Sequence, residues 1–188
     1  MGNPGAAYAA TRHNAGFLLA DAVADRWRLP AFRRSGPARV TVGEGAGTPI
    51  AVVKPQTYMN LSGAALRPLL ADPEFDPARD LLVLVDDAAI PLGTFRLRAR
   101  GSAGGHNGLR SVEDTLRSHD YARLRVGVGP PPDGIEDLAD FVLAAFTADE
   151  MDALEPLWPV MTDAVECWVT EGIDEAMQRF NPVGNRGG

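Results

Sequence analysis

The chain has 188 residues, of which 45% are hydrophobic and 23% charged, a composition typical of one soluble globular domain. A single cysteine excludes an internal disulfide framework and favours a reducing compartment, and no apolar run approaches the roughly 18 residues of a membrane span. Because the N-terminus also lacks the features of a signal peptide, the sequence predicts a cytoplasmic protein. We expect a single domain over residues 1–188, with a disordered tail from about residue 181.

The net charge of −7 is distributed unevenly along the chain. Residues 1–95 carry nine basic and nine acidic side chains, whereas residues 96–125 carry seven arginines against three acids. Residues 126–188 carry two arginines against thirteen acids. An acidic chain disfavours a nucleic-acid partner, but a basic island can attract phosphates locally. Charge alone leaves open whether these arginines bind phosphates or only keep the surface solvated.

Apolar periodicity predicts alternating helices and strands in the first half of the chain. A helix is expected from Asn14 to about Arg28, a strand hairpin within residues 38–55, and a helix from Asn60. The run DLLVLVDD predicts a buried strand that reaches the surface at Asp86 and Asp87.

The second half continues the alternation. TFRLRAR predicts a half-exposed strand with Arg96, Arg98 and Arg100 on one face. NGLRSVEDTLRS predicts a helix, ARLRVGVG a further strand, and residues 147–180 are helical in period, with breaks near two prolines and a glycine. The pattern indicates an α/β fold in which helices flank a twisted mixed β-sheet.

Two of the three histidines, His13 and His106, stand directly before predicted helices. A histidine there more often has a structural role. The position is nevertheless suited to a base, because the positive end of the helix dipole disfavours a protonated ring. A general base also needs an orienting carboxylate, which Asp86 or Asp87 could supply from the carboxyl end of a strand. The other aspartate of the pair is expected to cap the following turn.

Other chemistries find little support. The scattered histidines and one cysteine fit no metal-ligand spacing, no G-x-S-x-G marks a serine nucleophile, and GSAGGHNG lacks the lysine of a phosphate-binding loop. Asn14 is predicted to cap its helix, whereas Asn60 and Asn107 either cap helices or bind anions and carbonyl oxygens. A His/Asp pair with amide side chains suits attack by an activated water on an ester or amide.

Five collinear segments across residues 2–129 resemble the bacterial peptidyl-tRNA hydrolase family. They are GNPGAAYAATRHNAGF, KPQTYMNLSG, VDDAAIPLG, GSAGGHNGLRS and YARLRVGVG. The resemblance implies an enzyme of peptidyl-tRNA hydrolase-like fold that cleaves the ester between peptide and tRNA, releasing both. It implies no metal or other cofactor and a monomer that binds the CCA end and the acceptor-stem phosphates. The alternative is a non-catalytic RNA-binding relative, since the family contains such homologues.

The resemblance also implies a role for individual residues. His13 matches the general base, Asp86 the aspartate that holds it, and Asn3 an asparagine at the scissile region. Positions that bind the CCA end or the peptide, or line the groove, match Tyr8, Tyr58, Met59, Asn60 and Asn107. Positions that bind tRNA phosphates match Arg96, Arg98 and Arg125. Which of Asn3, Asn60 and Asn107 faces the oxyanion is left open.

The first residues depart from the family pattern. Family members place a buried strand immediately before GNPG, whereas this chain begins MGNPG. Either the start is truncated or misassigned, or the sheet lacks one strand. In the second case we expect exposed edge hydrogen bonds and Asn3 on a frayed terminus.

Overall fold

The computed structural model describes residues 1–132, 134 and 137–184 of the chain. Within these residues, six strands form two three-stranded sheets. The first sheet is antiparallel, in the order β1-β2-β3, and comprises β1 (Arg33–Ser35), β2 (Ala38–Gly45) and β3 (Thr48–Pro55). The second is mixed, in the order β4-β6-β5, and comprises β4 (Leu82–Pro91), β5 (Phe95–Arg98) and β6 (Ala122–Gly129).

Helices surround the sheets. The α-helices are α1 (Ala15–Arg26), α2 (Arg67–Leu70), α3 (Pro77–Asp80), α4 (Asn107–Leu116), α5 (Leu138–Leu143), α6 (Ala148–Leu154), α7 (Leu157–Glu171) and α8 (Ile173–Gly184). Short 3-10 helices cover Ala6–Tyr8, Arg12–Asn14 and Met59–Leu66. Within the described ranges, no helix combines the length and the apolar character needed to cross a membrane.

The central strand β6 is buried along nearly its whole length although it carries Arg123 and Arg125, whereas the edge strand β5 exposes Arg96. One face of the mixed sheet packs against α1 and the C-terminal helices, with Leu19, Phe95, Leu124 and Met161 fully buried. The opposite face of β4 packs against α4 and the Met59–Leu66 helix. Because β4 and β6 run parallel, their carboxyl ends meet at one edge of the sheet.

The predicted α/β class is confirmed, but the strands form two sheets where the sequence suggested one. Among the described residues, the hairpin of β2 and β3 pairs only with β1 and forms no ladder with the mixed sheet. The local pattern of apolar residues did not predict this division, because sheet pairing depends on contacts between segments distant in sequence. The last helix reaches Gly184, beyond the expected start of the disordered tail near residue 181, and residues 185–188 lie outside the described residues.

Candidate active site

A cleft of about 510 Å³ lies where the carboxyl end of β4 meets the turns before α1 and α4. The arrangement follows from the parallel pairing of β4 with β6, which leaves the ends of both strands open to ligands. The sequence-predicted site residues that line it are Asn3, Tyr8, His13, Tyr58, Met59, Asn60, Asp86, Asn107 and Arg125. The remaining two, Arg96 and Arg98, lie outside the cleft lining, on β5.

His13 and Asp86 form a direct pair. The 3-10 turn before α1 carries His13, and its Nδ1 lies 3.0 and 2.9 Å from the two carboxylate oxygens of Asp86. An ionised carboxylate can only accept hydrogen bonds, so Nδ1 must carry the ring hydrogen. The neutral ring then has its lone pair on Nε2. His13 therefore has the tautomer and the orienting partner that a general base requires.

His106 contacts the same carboxylate from the other side. Its Nδ1 accepts hydrogen bonds from the backbone N–H groups of Gly108 and Leu109, at 3.1 and 3.2 Å, and so caps α4. The ring hydrogen consequently lies on Nε2, which donates to Asp86 Oδ1 at 3.0 Å. The two histidines thus adopt opposite tautomers around one shared aspartate, with ring centroids 4.9 Å apart.

Asp86 remains ionised in this setting although it is only 3% exposed. Burial alone would raise the pKa of Asp86, but attraction to His106, hydrogen bonds from His106 and His13, and attraction to His13 together lower the pKa below its ordinary range. The sequence offered His106 as a possible base before a helix but did not predict its contact with Asp86, because that contact depends on how α4 packs beside β4.

His13, Asp86 and His106 also have the composition of a metal site, with ligand atoms within 4.8 Å of one another. The cap on α4 argues against that use. A metal bound at His106 Nε2 would require the lone pair there and would move the ring hydrogen to Nδ1. That hydrogen would then point at the N–H groups of Gly108 and Leu109. The donor set therefore fits a hydrogen-bonded triad better than a metal centre.

Asn3 is fixed in the cleft by Asn14 and Met59. The backbone N–H of Asn3 donates to Asn14 Oδ1 at 2.7 Å, and Asn14 Nδ2 donates to the Asn3 carbonyl at 3.0 Å. The Met59 N–H donates to Asn3 Oδ1 at 2.7 Å, which leaves the Nδ2 group of Asn3 to donate elsewhere. Asn3 is 6% exposed, so the expectation of a frayed terminus at Asn3 is wrong.

The capping role predicted for Asn14 is also wrong, because its side chain makes no cap hydrogen bond to α1. It binds Asn3 instead. Close packing beside Asn14 depends on Gly16, where an added Cβ would collide with the Leu84 carbonyl oxygen and the backbone of Met1. The amino group of Met1 donates to the same Leu84 carbonyl. Residues 1–4 thus lie beside β4 without forming a strand.

Asn60, Asn107 and Tyr58 present their side chains at the rim of the cleft. Neither asparagine caps a helix, since Tyr58 and His106 hold the N-cap positions. Both asparagines are exposed, and Tyr58 is 63% exposed. Met59 is buried beneath them. These exposed polar and aromatic groups are able to contact a ligand that enters the cleft.

The three arginines predicted to bind phosphates cluster at one side of the cleft. Arg96 and Arg125 stand opposite each other on β5 and β6. Arg98 lies two residues beyond Arg96 on the same face of β5, and its pKa is lowered, first by burial and then by the charges of Arg96 and Arg125. Arg125 Nε lies 2.9 Å from Asp87 Oδ2. Asp87 Oδ1 also accepts from the Ala89 N–H at 3.0 Å, but both residues lie inside β4, where its register with β6 shifts, so the prediction that this aspartate caps a following turn is wrong.

Helix α5 forms an apolar wall of the cleft that the sequence analysis missed. Its lining side chains are Leu138, Ala139, Val142 and Leu143. The available signal was Asp137, whose side chain accepts from the Ala139 N–H at 2.8 Å and caps the helix.

Arg12 links the turn that carries His13 to the C-terminal end of helix α5 and to Glu150. Its guanidinium binds the Glu150 carboxylate at 2.6 and 2.8 Å. It also donates to the carbonyls of Phe141 and Ala144, both at 3.2 Å. The position of α5 is therefore fixed relative to His13.

Comparison with known proteins agrees with this geometry. The family model described as peptidyl-tRNA hydrolase matches residues 1–186. The chain belongs to this family. A peptidyl-tRNA hydrolase of Gemmatimonas aurantiaca is 48% identical over 179 residues, covering 94% of each chain. One of Chloroflexus aggregans is 46% identical over 183 residues, covering 97% of each.

Solved structures of the family share the fold. The crystal structure of peptidyl-tRNA hydrolase from Acinetobacter baumannii superimposes with a TM-score of 0.87 at 30% identity, covering 96% of this chain and 91% of that one. A complex of peptidyl-tRNA hydrolase with n-propanol gives a TM-score of 0.88 at the same identity and coverage. The family, the fold class and the hydrolase class predicted from the sequence are thereby confirmed, and these relatives give no support to the non-catalytic alternative.

Proposed function

We propose that this chain hydrolyses the ester between peptide and tRNA in peptidyl-tRNA, releasing free peptide and free tRNA. The observation that carries the proposal is the pair in which Asp86 accepts from His13 Nδ1 and leaves Nε2 as the basic nitrogen at the cleft. Membership of the family supports the substrate, because its relatives are peptidyl-tRNA hydrolases.

In the proposed reaction, His13 Nε2 removes a proton from a water molecule as that water attacks the ester carbonyl carbon. The carbonyl oxygen gains negative charge in the tetrahedral intermediate. Asp86 stabilises the imidazolium that forms, without itself becoming protonated. The ester C–O bond then breaks, and the proton on Nε2 passes to the 3′ oxygen of the departing tRNA. The reaction consumes one water and needs no cofactor.

Asn3 is our candidate for the oxyanion donor. Its Oδ1 is occupied by the Met59 N–H, so the amide is oriented with Nδ2 free to donate from a buried position in the cleft. A fixed donor of this kind stabilises a developing oxyanion by roughly 3 kcal/mol. Asn60 and Asn107 lie at the exposed rim, where we assign them, with Tyr8, Tyr58 and Met59, to the CCA end and the peptide.

Arg96, Arg98 and Arg125 are proposed to bind phosphates of the acceptor stem. Arg98→Glu is expected to raise KM for an N-blocked aminoacyl-tRNA by about tenfold at low salt and to weaken the salt dependence of KM, with little change in kcat. Steady-state kinetics between 50 and 200 mM salt would measure both effects. Arg79→Glu is the matched control, since Arg79 is exposed and already paired with Asp80. A KM equal to that of the control at low salt would show that Arg98 does not contribute to tRNA binding.

The test of the function is the turnover of an N-blocked aminoacyl-tRNA by the purified chain, followed as release of the blocked amino acid. Multiple turnovers are expected. Binding of tRNA without any turnover would instead identify the non-catalytic RNA-binding relative.

We also infer one domain over residues 1–188, a monomer and a cytoplasmic location. One chain supplies all the proposed catalytic groups, and the single cysteine is buried.

A further inference from the structure

A second basic segment lies outside the proposed phosphate site. Residues 26–43 contain five arginines and no acidic residue, in a chain of net charge −7. Acidic residues elsewhere in residues 1–95 balance the charge of this segment. Three of its arginines, Arg33, Arg34 and Arg39, lie on the antiparallel sheet with exposed side chains.

The strand register arranges some of these charges in a row. Arg34 stands opposite Arg39, and Arg39 stands opposite Lys54, so the three side chains share one face of the sheet. Like charges directly opposite each other are destabilising. Lys54 is neutralised by Asp21, whose two oxygens both lie 2.7 Å from its Nζ. Among the described residues, no carboxylate forms an ion pair with Arg34 or Arg39.

The same two arginines line a depression whose third lining residue, Gln56, lies two residues before the cleft rim. Arg34, Arg39 and Gln56 line a volume of about 460 Å³. Gln56 precedes Tyr58 of the cleft rim by two residues, a separation of at most roughly 7 Å along the backbone. The guanidinium of Arg39 also donates to the Phe32 carbonyl at 3.2 Å, which anchors it on this face.

We propose that Arg34 and Arg39 bind backbone phosphates of the tRNA, as a second contact surface distinct from Arg96, Arg98 and Arg125. The inference rests on the proposed function. Guanidinium groups bind phosphate oxygens in a two-pronged geometry, and an anion held between the two arginines offsets their mutual repulsion. The depression lies within two residues of the cleft rim at Gln56, a distance that an extended polyanion can span while its 3′ end occupies the cleft.

The test compares Arg34→Gln/Arg39→Gln with the charge-matched control Arg26→Gln/Arg79→Gln. Both control arginines are exposed and paired, with Asp163 and Asp80. The affinity for deacylated tRNA is measured between 50 and 200 mM salt, together with kcat for an N-blocked aminoacyl-tRNA. We expect the first pair to weaken tRNA binding about tenfold at low salt and to reduce the slope of log Kd against log salt by up to about two. Its kcat at saturating substrate and its Tm should match those of the control.

Equal Kd and equal salt slope in the two double variants, with normal turnover, would show that Arg34 and Arg39 do not bind tRNA phosphates. The proposed function would be unaffected. A lower Tm and a lower kcat in Arg34→Gln/Arg39→Gln, with unchanged salt slope, would also overturn the second contact surface, because the arginines would then act through folding. A wild-type chain that binds tRNA in an Arg34- and Arg39-dependent way without turnover would support the surface and contradict the proposed function.

Discussion

Replacing His13 with alanine is expected to lower kcat for an N-blocked aminoacyl-tRNA by about 10²- to 10⁴-fold, the usual contribution of a general base. KM should change little, because the residues proposed to bind the tRNA and the peptide remain in place. The loss follows from removing the nitrogen that accepts the proton of the attacking water. Single-turnover release of the blocked amino acid would measure the effect without interference from product release.

His119→Ala is the matched control for this substitution. His119 is the third histidine, its side chain is 65% exposed, and its Nδ1 lies 3.3 Å from Glu113, away from Asp86. Its loss should leave kcat close to that of the wild type. If His13→Ala and His119→Ala turn over substrate equally well, His13 is not the base.

Replacing Asp86 with asparagine is expected to lower kcat by about 10³- to 10⁴-fold, comparable with the effect of the same change in a serine-protease triad. The amide has a single oxygen to accept from both histidines, and its NH₂ group cannot accept from His13 Nδ1. The His13 ring is then free to hold its hydrogen on Nε2, where it cannot act as a base. Asp163→Asn, at an exposed ion pair with Arg26, is the corresponding control. Activity of Asp86→Asn within tenfold of the wild type would contradict this orienting role.

Asp86 also links stability to pH. Its pKa is lower in the folded chain than in the unfolded chain, so its ionised form stabilises the fold. That contribution is complete above the unfolded pKa of about 3.9 and is lost as the pH falls through the folded value. Asp86→Asn should therefore lose less of its free energy of unfolding than the wild type between pH 5 and pH 2, as urea unfolding would measure.

Some of this site could be predicted from sequence because the signals are local. A histidine before a helix and an aspartate after an apolar strand are each visible in a short segment, and their meeting follows from the topology of α/β sheets. The shared use of Asp86 by His106 was not visible, because the tautomer of His106 is set by the amides of α4.

The predictions from sequence were wrong where contacts between distant segments, and not local ones, determine the position of a side chain or strand. Asn14 occupies the predicted cap position, but its side chain is engaged by Asn3, eleven residues earlier. Asn3 is buried for the same reason, although residues 1–4 form no strand. The division into two sheets likewise depends on pairings between distant segments, which the local alternation of apolar residues does not specify.

The central claim is that Asp86 accepts a hydrogen bond from each of two histidines in opposite tautomers, which leaves Nε2 of His13 as the base. Nitrogen-15 NMR of ring-labelled histidine, assigned with His13→Ala and His119→Ala, measures this directly at a pH where the rings are neutral. We predict a protonated Nδ1 and an unprotonated Nε2 for His13, and the reverse for His106. A protonated Nε2 on His13, or the same tautomer on both rings, would contradict the account.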